Sequence, residues 1–106
     1  MGGYAVLTTP QFRVVLDVNG EELNEYEVRA VNMDMVAFDR ERARMNWPGA
    51  DVAPMLWATY VAWRAMTRLG HTQLRWPEFE EHALQVEVLQ DKVSEVDPTR
   101  TAVAAE

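Results

Sequence analysis

Apolar and polar positions alternate most clearly between Phe12 and Ala30. Phe12, Val14, Leu16 and Val18 share one parity, with Arg13, Val15 and Asp17 between them, which is the period of a half-buried strand. Tyr26, Val28 and Ala30 alternate in the same way with Glu25, Glu27 and Arg29 and predict a returning strand. Asn19-Gly20 is a strong hairpin turn signal, and 21–24 leave room for a longer or bulged turn. The period then changes. Asn32 is a candidate N-cap and Asp34 suits the positive end of a helix dipole, so a helix is expected over about 33–46, closing before Trp47-Pro48-Gly49. Its apolar residues form two opposed stripes: Met33, Val36, Ala43 and Trp47 on one side, Met35, Phe38 and Met45 on the other. One stripe can pack on the domain's own core, and the other then needs a different cover.

The stretch PMLWATYVAWRAMTRL is the most apolar in the chain, with only Thr59, Arg64, Thr67 and Arg68 polar. On a helical wheel its apolar side chains span roughly two-thirds of the circumference, against the ~100° stripe of a surface helix. The helix is expected over 54–69, with Pro54 in its first turn and Gly70 as the left-handed residue after its end. Trp76-Pro77-Glu78 then reads as the start of a third helix, over about 77–86. From Asp91 onward the residues are small, charged or turn-forming, with no aromatic, and a flexible tail is expected over 91–106. The pattern as a whole predicts an α+β, mainly α domain over 1–90: an N-terminal hairpin over about 12–30, a three-helix bundle, and a disordered acidic tail. Trp47, Leu56 and Trp63, with Val36 and Phe79, are the expected core joining the helices.

Composition narrows the function more than the fold. The chain has 106 residues, a net charge of −7, no cysteine and a single lysine. Residues 1–37 carry six acids and two arginines, 38–77 three acids and six arginines, and 78–106 eight acids and two bases. So acidic a chain is a poor general binder of nucleic acid. Its longest uncharged run, Val52 to Trp63, is too short to span a membrane, which needs ~20 apolar residues. The first residues lack a basic stretch followed by an apolar one, so no secretory leader is expected. His71 and His82 lack metal-ligand spacing, Glu80 and Glu81 point to different sides of a helix, and Ser94, the only serine, lies in the expected tail. No enzyme activity, metal or cofactor is expected.

The apolar excess points to a partner surface instead. Methionine repacks cheaply against varied partners, and Trp57, Tyr60 and Arg64 are residue types enriched in binding hot spots. The expected contacts are Phe38, Met45, Trp57, Tyr60, Arg64 and Arg68, with the two arginines meeting acids that flank an apolar segment. The exposed excess also predicts self-association.

Several segments recur in a fixed order: YEVRAVNMDMVAFDRERARMNWP, APMLWATYVAWRAMTRLGH, LRWPEFEEH and an acidic end containing VDPT. In this order the chain resembles the tail assembly chaperones of long-tailed actinobacterial phages, over about Tyr26 to Thr99. The resemblance implies a non-enzymatic protein of the host cytoplasm, not retained in the mature virion. It would keep apolar helical segments of the tape measure protein soluble until the tail tube assembles. The tail tube protein is a further implied partner wherever a frameshifted longer form exists. Two other classes fit the same sequence: a small structural subunit of the neck or tail, and an acidic nucleic-acid mimic. The basic middle block argues against the mimic.

Overall fold

The computed structural model describes residues 6–18, Gly20, 22–89 and 94–95. Strands β1 (Val6–Leu7), β2 (Gln11–Val18) and β3 (Glu22–Arg29) precede helices α1 (Asn32–Met45), α2 (Pro54–Arg68) and α3 (Trp76–His82). Strands β4 (Ala83–Leu89) and β5 (Ser94–Glu95) follow. The expected tail over 91–106 lies outside the described residues, apart from Ser94–Glu95, which pair antiparallel with Val6–Leu7.

The hairpin forms where the alternation places it. β2 and β3 pair without interruption from Gln11↔Arg29 to Val18↔Glu22, leaving three turn positions rather than a long loop. Gly20 sits there with φ +71°, a left-handed conformation that favours glycine. Phe12, Val14 and Leu16 face inward and are 4% exposed or less. On the opposite face Arg13 lies between Glu25 and Glu87, one on each neighbouring strand.

Residues 77–86 do not complete a three-helix bundle. The fold is a small α+β domain with a three-stranded antiparallel sheet of order β3-β2-β4 and helices on one face. α3 ends at His82, Ala83 is already extended (φ −80°, ψ 107°), and the chain runs directly into β4. The cause is the central strand. β2 carries a fully buried inner face and needs a neighbour on each side; the hairpin supplies one and the segment ALQVEVL the other. Val86, at 8% exposure, completes the inner face. The β2–β4 register shifts between Val15 and Leu16, so that Leu84 has no partner on β2 and remains 57% exposed.

α2 ends as its sequence predicts. Gly70 takes φ +82°, His71 N–H donates to the Met66 carbonyl at 2.9 Å and Gly70 N–H to the Thr67 carbonyl at 3.1 Å. This doubly bonded ending satisfies carbonyls that a helix otherwise leaves unpaired. α1 begins one residue before the expected place: Asn32 is its first helical residue rather than the cap. The first turn is closed instead by Asp34, whose carboxylate accepts the Val31 N–H at 2.9 Å. Asp34 is 1% exposed and also receives the Arg68 guanidinium, Nη2 to Oδ2 at 3.0 Å, from the far end of α2.

The two stripes of α1 do not divide into a core face and a free face: Trp47 of the first and Phe38 of the second both pack inward, and Met45 of the second is 46% exposed. Phe38 is 2% exposed and Met35 is half-buried, whereas Val36 and Met33 are 36% and 64% exposed. Val36 therefore leaves the expected core. Phe79, by contrast, is fully buried, and Trp47, Leu56 and Trp63 pack partly buried against the core.

Two stability predictions follow from this packing. Phe79→Ala should lower unfolding free energy by about 3–5 kcal/mol, as truncating a buried aromatic does, while Val36→Ser should change it by less than about 0.5 kcal/mol. Urea denaturation reads both. Asp34→Ala removes a cap and strands a partly buried guanidinium, so a loss of about 3 kcal/mol is expected; a loss below 1 kcal/mol would show that the pair contributes little.

Candidate functional site

The densest constellation of functional side-chain types lies where the three helices meet. Tyr60, near the middle of α2, is its hub. Its ring centroid lies 6.0 Å from Phe38 of α1, 5.7 Å from Trp47 beyond the end of α1, 5.2 Å from Trp63 and 5.0 Å from Trp76 of α3. Trp47, Trp63 and Trp76 also lie 5.7–6.0 Å from one another where they meet, at tilted angles. Such inclined arrangements match the ring quadrupoles, which disfavour flat sandwiches.

Local sequence explains how the rings converge. α1 ends with Asn46 in the left-handed region (φ 60°, ψ 41°), and Trp47 N–H donates back to the Arg42 carbonyl at 2.9 Å. That ending folds Trp47 back beside Phe38, with the rings 6.4 Å apart. Trp76 opens α3, whose first turn is closed by Glu78 accepting the Arg75 N–H at 3.0 Å. Trp63 is fixed from behind by its indole N–H, which donates to the Leu74 carbonyl at 2.8 Å. Tyr60 is 6% exposed, while the three indoles are half-buried and present their remaining surface to solvent.

Charge is distributed unevenly around this cluster. Glu41 and Arg44 form an i, i+3 ion pair on α1. Arg64 lies one turn beyond Tyr60, with its guanidinium carbon 5.8 Å from the Trp63 ring centroid. Its Nε is buried and has no hydrogen-bond partner. Burial, and then Glu41, hold the Tyr60 hydroxyl pKa above its ordinary 10.0, against the opposing influence of Arg64 and Arg44.

The six expected contact residues do not share one surface. Phe38 and Tyr60 are core residues, and a side chain 2–6% exposed cannot be a primary contact on the folded surface. Trp57 turns toward the sheet, edge-on to Phe12 at 5.8 Å. Arg68 is engaged with Asp34 and the Arg29 carbonyl. Arg64 remains half-buried beside the indoles, and Met45 is 46% exposed. Trp76 was not among the expected contacts; its signal was its position, since Trp47 and Trp76 each precede a proline at a helix boundary.

Away from the aromatic cluster, a concavity of about 440 Å³ lies between the turn end of the sheet and the α2–α3 linker. Leu16, Tyr26, Leu74 and both histidines line it, with His71 stacked 5.0 Å from Tyr26. Among the described residues no group of three or more acidic, histidine or cysteine side chains is placed to hold a metal ion. No helix among them is long and apolar enough to cross a membrane.

Compared with known proteins, the chain matches no protein family, no curated protein and no solved structure. A sheet covered by helices on one face hosts many activities, so function must be argued from the site.

Because burial raises the Tyr60 pKa, the folded state favours the neutral phenol. The associated stability is present below pH 10 and is lost as pH rises above 10 through the folded-state value. Absorbance at the phenolate band, followed with urea midpoints, should show a late-titrating tyrosine that disappears in Tyr60→Phe.

Proposed function

We propose that this protein is a non-enzymatic assembly chaperone that covers apolar helices of a long partner, the tape measure protein of a long-tailed phage. The observation that carries the reading is the distribution of exposed apolar side chains. Of the large apolar side chains exposed among the described residues, Met33, Val36, Met45, Val52, Met55 and Leu69 (36–71% exposed) lie on α1, α2 or their flanking loops, and Leu7, Leu23 and Leu84 lie on strands. Three are methionines, whose flexible thioether chains adapt to irregular apolar surfaces. The half-buried indoles of Trp47, Trp63 and Trp76 lie on the same helical layer. The outer sheet face is mainly charged, with Arg13, Glu25, Glu27 and Glu87 across its strands and Leu23 exposed beside them. A molecule with one adhesive layer and one hydrated layer can coat an insoluble helix and keep the complex in solution.

The resemblance to tail assembly chaperones points the same way and supplies the partner. In this reading the protein acts in the host cytoplasm, self-associates along its partner, meets the tail tube protein through any longer form, and departs before the virion is complete.

The test is co-expression with the tape measure protein of the same phage. The wild type should bring it into the soluble fraction. A Met45→Glu, Met55→Glu variant should fail to do so while keeping its thermal midpoint, because both side chains are half exposed or nearly so. Rescue by that variant equal to the wild type would remove this surface from the function, and finding the protein in purified virions would favour a structural subunit.

A further inference from the structure

Arg64 is the one arginine on the helical layer that is half-buried; Arg40, Arg42 and Arg75 are exposed to solvent. Arg68 is paired with Asp34, and Arg44 with Glu41. Arg64 is half-buried, its Nε is shielded from solvent without a hydrogen-bond acceptor, and no carboxylate among the described residues pairs with it. A partly desolvated guanidinium without a counter-charge is costly, and native structures rarely retain one without a reason. The surrounding charges do not supply the missing partner. Glu41 and Arg44 neutralise each other, so the neighbourhood of Tyr60 carries one unmatched positive charge. The Trp63 ring beneath the guanidinium restricts its swing while leaving its donors free, since a cation over a ring face uses no N–H.

We propose that Arg64 anchors a single carboxylate, an aspartate or glutamate side chain, carried within the apolar helix that this aromatic face receives. The inference rests on the reading that the helical layer binds apolar helices and adds what such a helix must contain. Apolar side chains would cover the exposed parts of Trp63 and Trp76, and one acid would accept from the guanidinium, whose planar fork matches a carboxylate. Arg68, already committed to Asp34, has no comparable role. The register of the bound helix would thereby be fixed by one ion pair inside an otherwise non-directional contact.

The experiment uses the full chain and two end-capped, asparagine-flanked helical peptides of leucine and alanine, identical except for a central Glu, which carries the only charge, or Gln. Indole fluorescence reads binding. The wild type should bind the Glu peptide about tenfold more tightly, as a charge-assisted bond outweighs a neutral one. Arg64→Met should abolish the preference, and Arg64→Lys should retain part of it. The thermal midpoint of Arg64→Met should be unchanged or raised, because the unsatisfied buried nitrogen is gone. Equal binding of the two peptides by the wild type overturns the proposal but leaves the apolar-helix reading intact. Persistence of the preference in Arg64→Met, or a fall of many degrees in its midpoint, also overturns it. Binding of neither peptide overturns both.

Discussion

The carboxylate of Asp34 ties together three parts of the chain that also meet through the apolar core. Its Oδ2 accepts the Val31 N–H that opens α1 and the Arg68 guanidinium that closes α2, while Arg68 donates onward to the carbonyl of Arg29 at the end of β3. Asp34 is the one buried carboxylate among the described residues, and a buried charge is tolerable only when it is paired and hydrogen-bonded. Here the charge meets a helix N-terminus, a guanidinium and the favourable end of a dipole at once.

Much of the apolar excess of α2 is absorbed inside the domain. α2 packs against β2, β3 and β4 as well as α1 and α3, so it needs cover on several sides even in a monomer. Ala58, Val61, Ala62, Ala65 and Met66 face this cover and are 1% exposed or less. The small residues allow close approach to the sheet, and the large ones, Tyr60 and Trp63, fill the wider gap between α1 and α3. The partner surface proposed above is therefore narrower than the wheel implies and would rest on α1, the inter-helix loop, the first turn of α2 and the half-buried indoles.

The β2–β3 hairpin and α2 were legible because two independent signals agreed at each. Alternation met Asn19-Gly20 in the hairpin, and the apolar run lay between Pro54 and Gly70. β4 was not legible because its signals disagreed. Pro77 and the acids after it mark a helix start, and the alternation of Val86 and Val88 that follows is too short to outweigh that start. What decides the matter is the long-range demand of β2 for a second neighbour, which no local window contains. The scatter of the six expected contact residues has a related reason. When both stripes of a helix are apolar, a wheel shows that they are opposed but not which neighbour each will meet. Phe38 and Val36 exchanged places on that account, and Arg68 was claimed by Asp34 across 34 positions.

The order β3-β2-β4 places the central strand between its nearest neighbour in sequence and its most distant one. During synthesis the first hairpin can pair as soon as it leaves the ribosome, yet Phe12, Val14 and Leu16 have no second flank until Ala83–Leu89 emerge. Until then one edge of β2 is an open row of donors and acceptors beside an uncovered apolar face, the kind of surface on which nascent chains aggregate. The domain thus spends most of its own synthesis with its central strand half-covered, and its inner face closes only when the last strand of the sheet arrives.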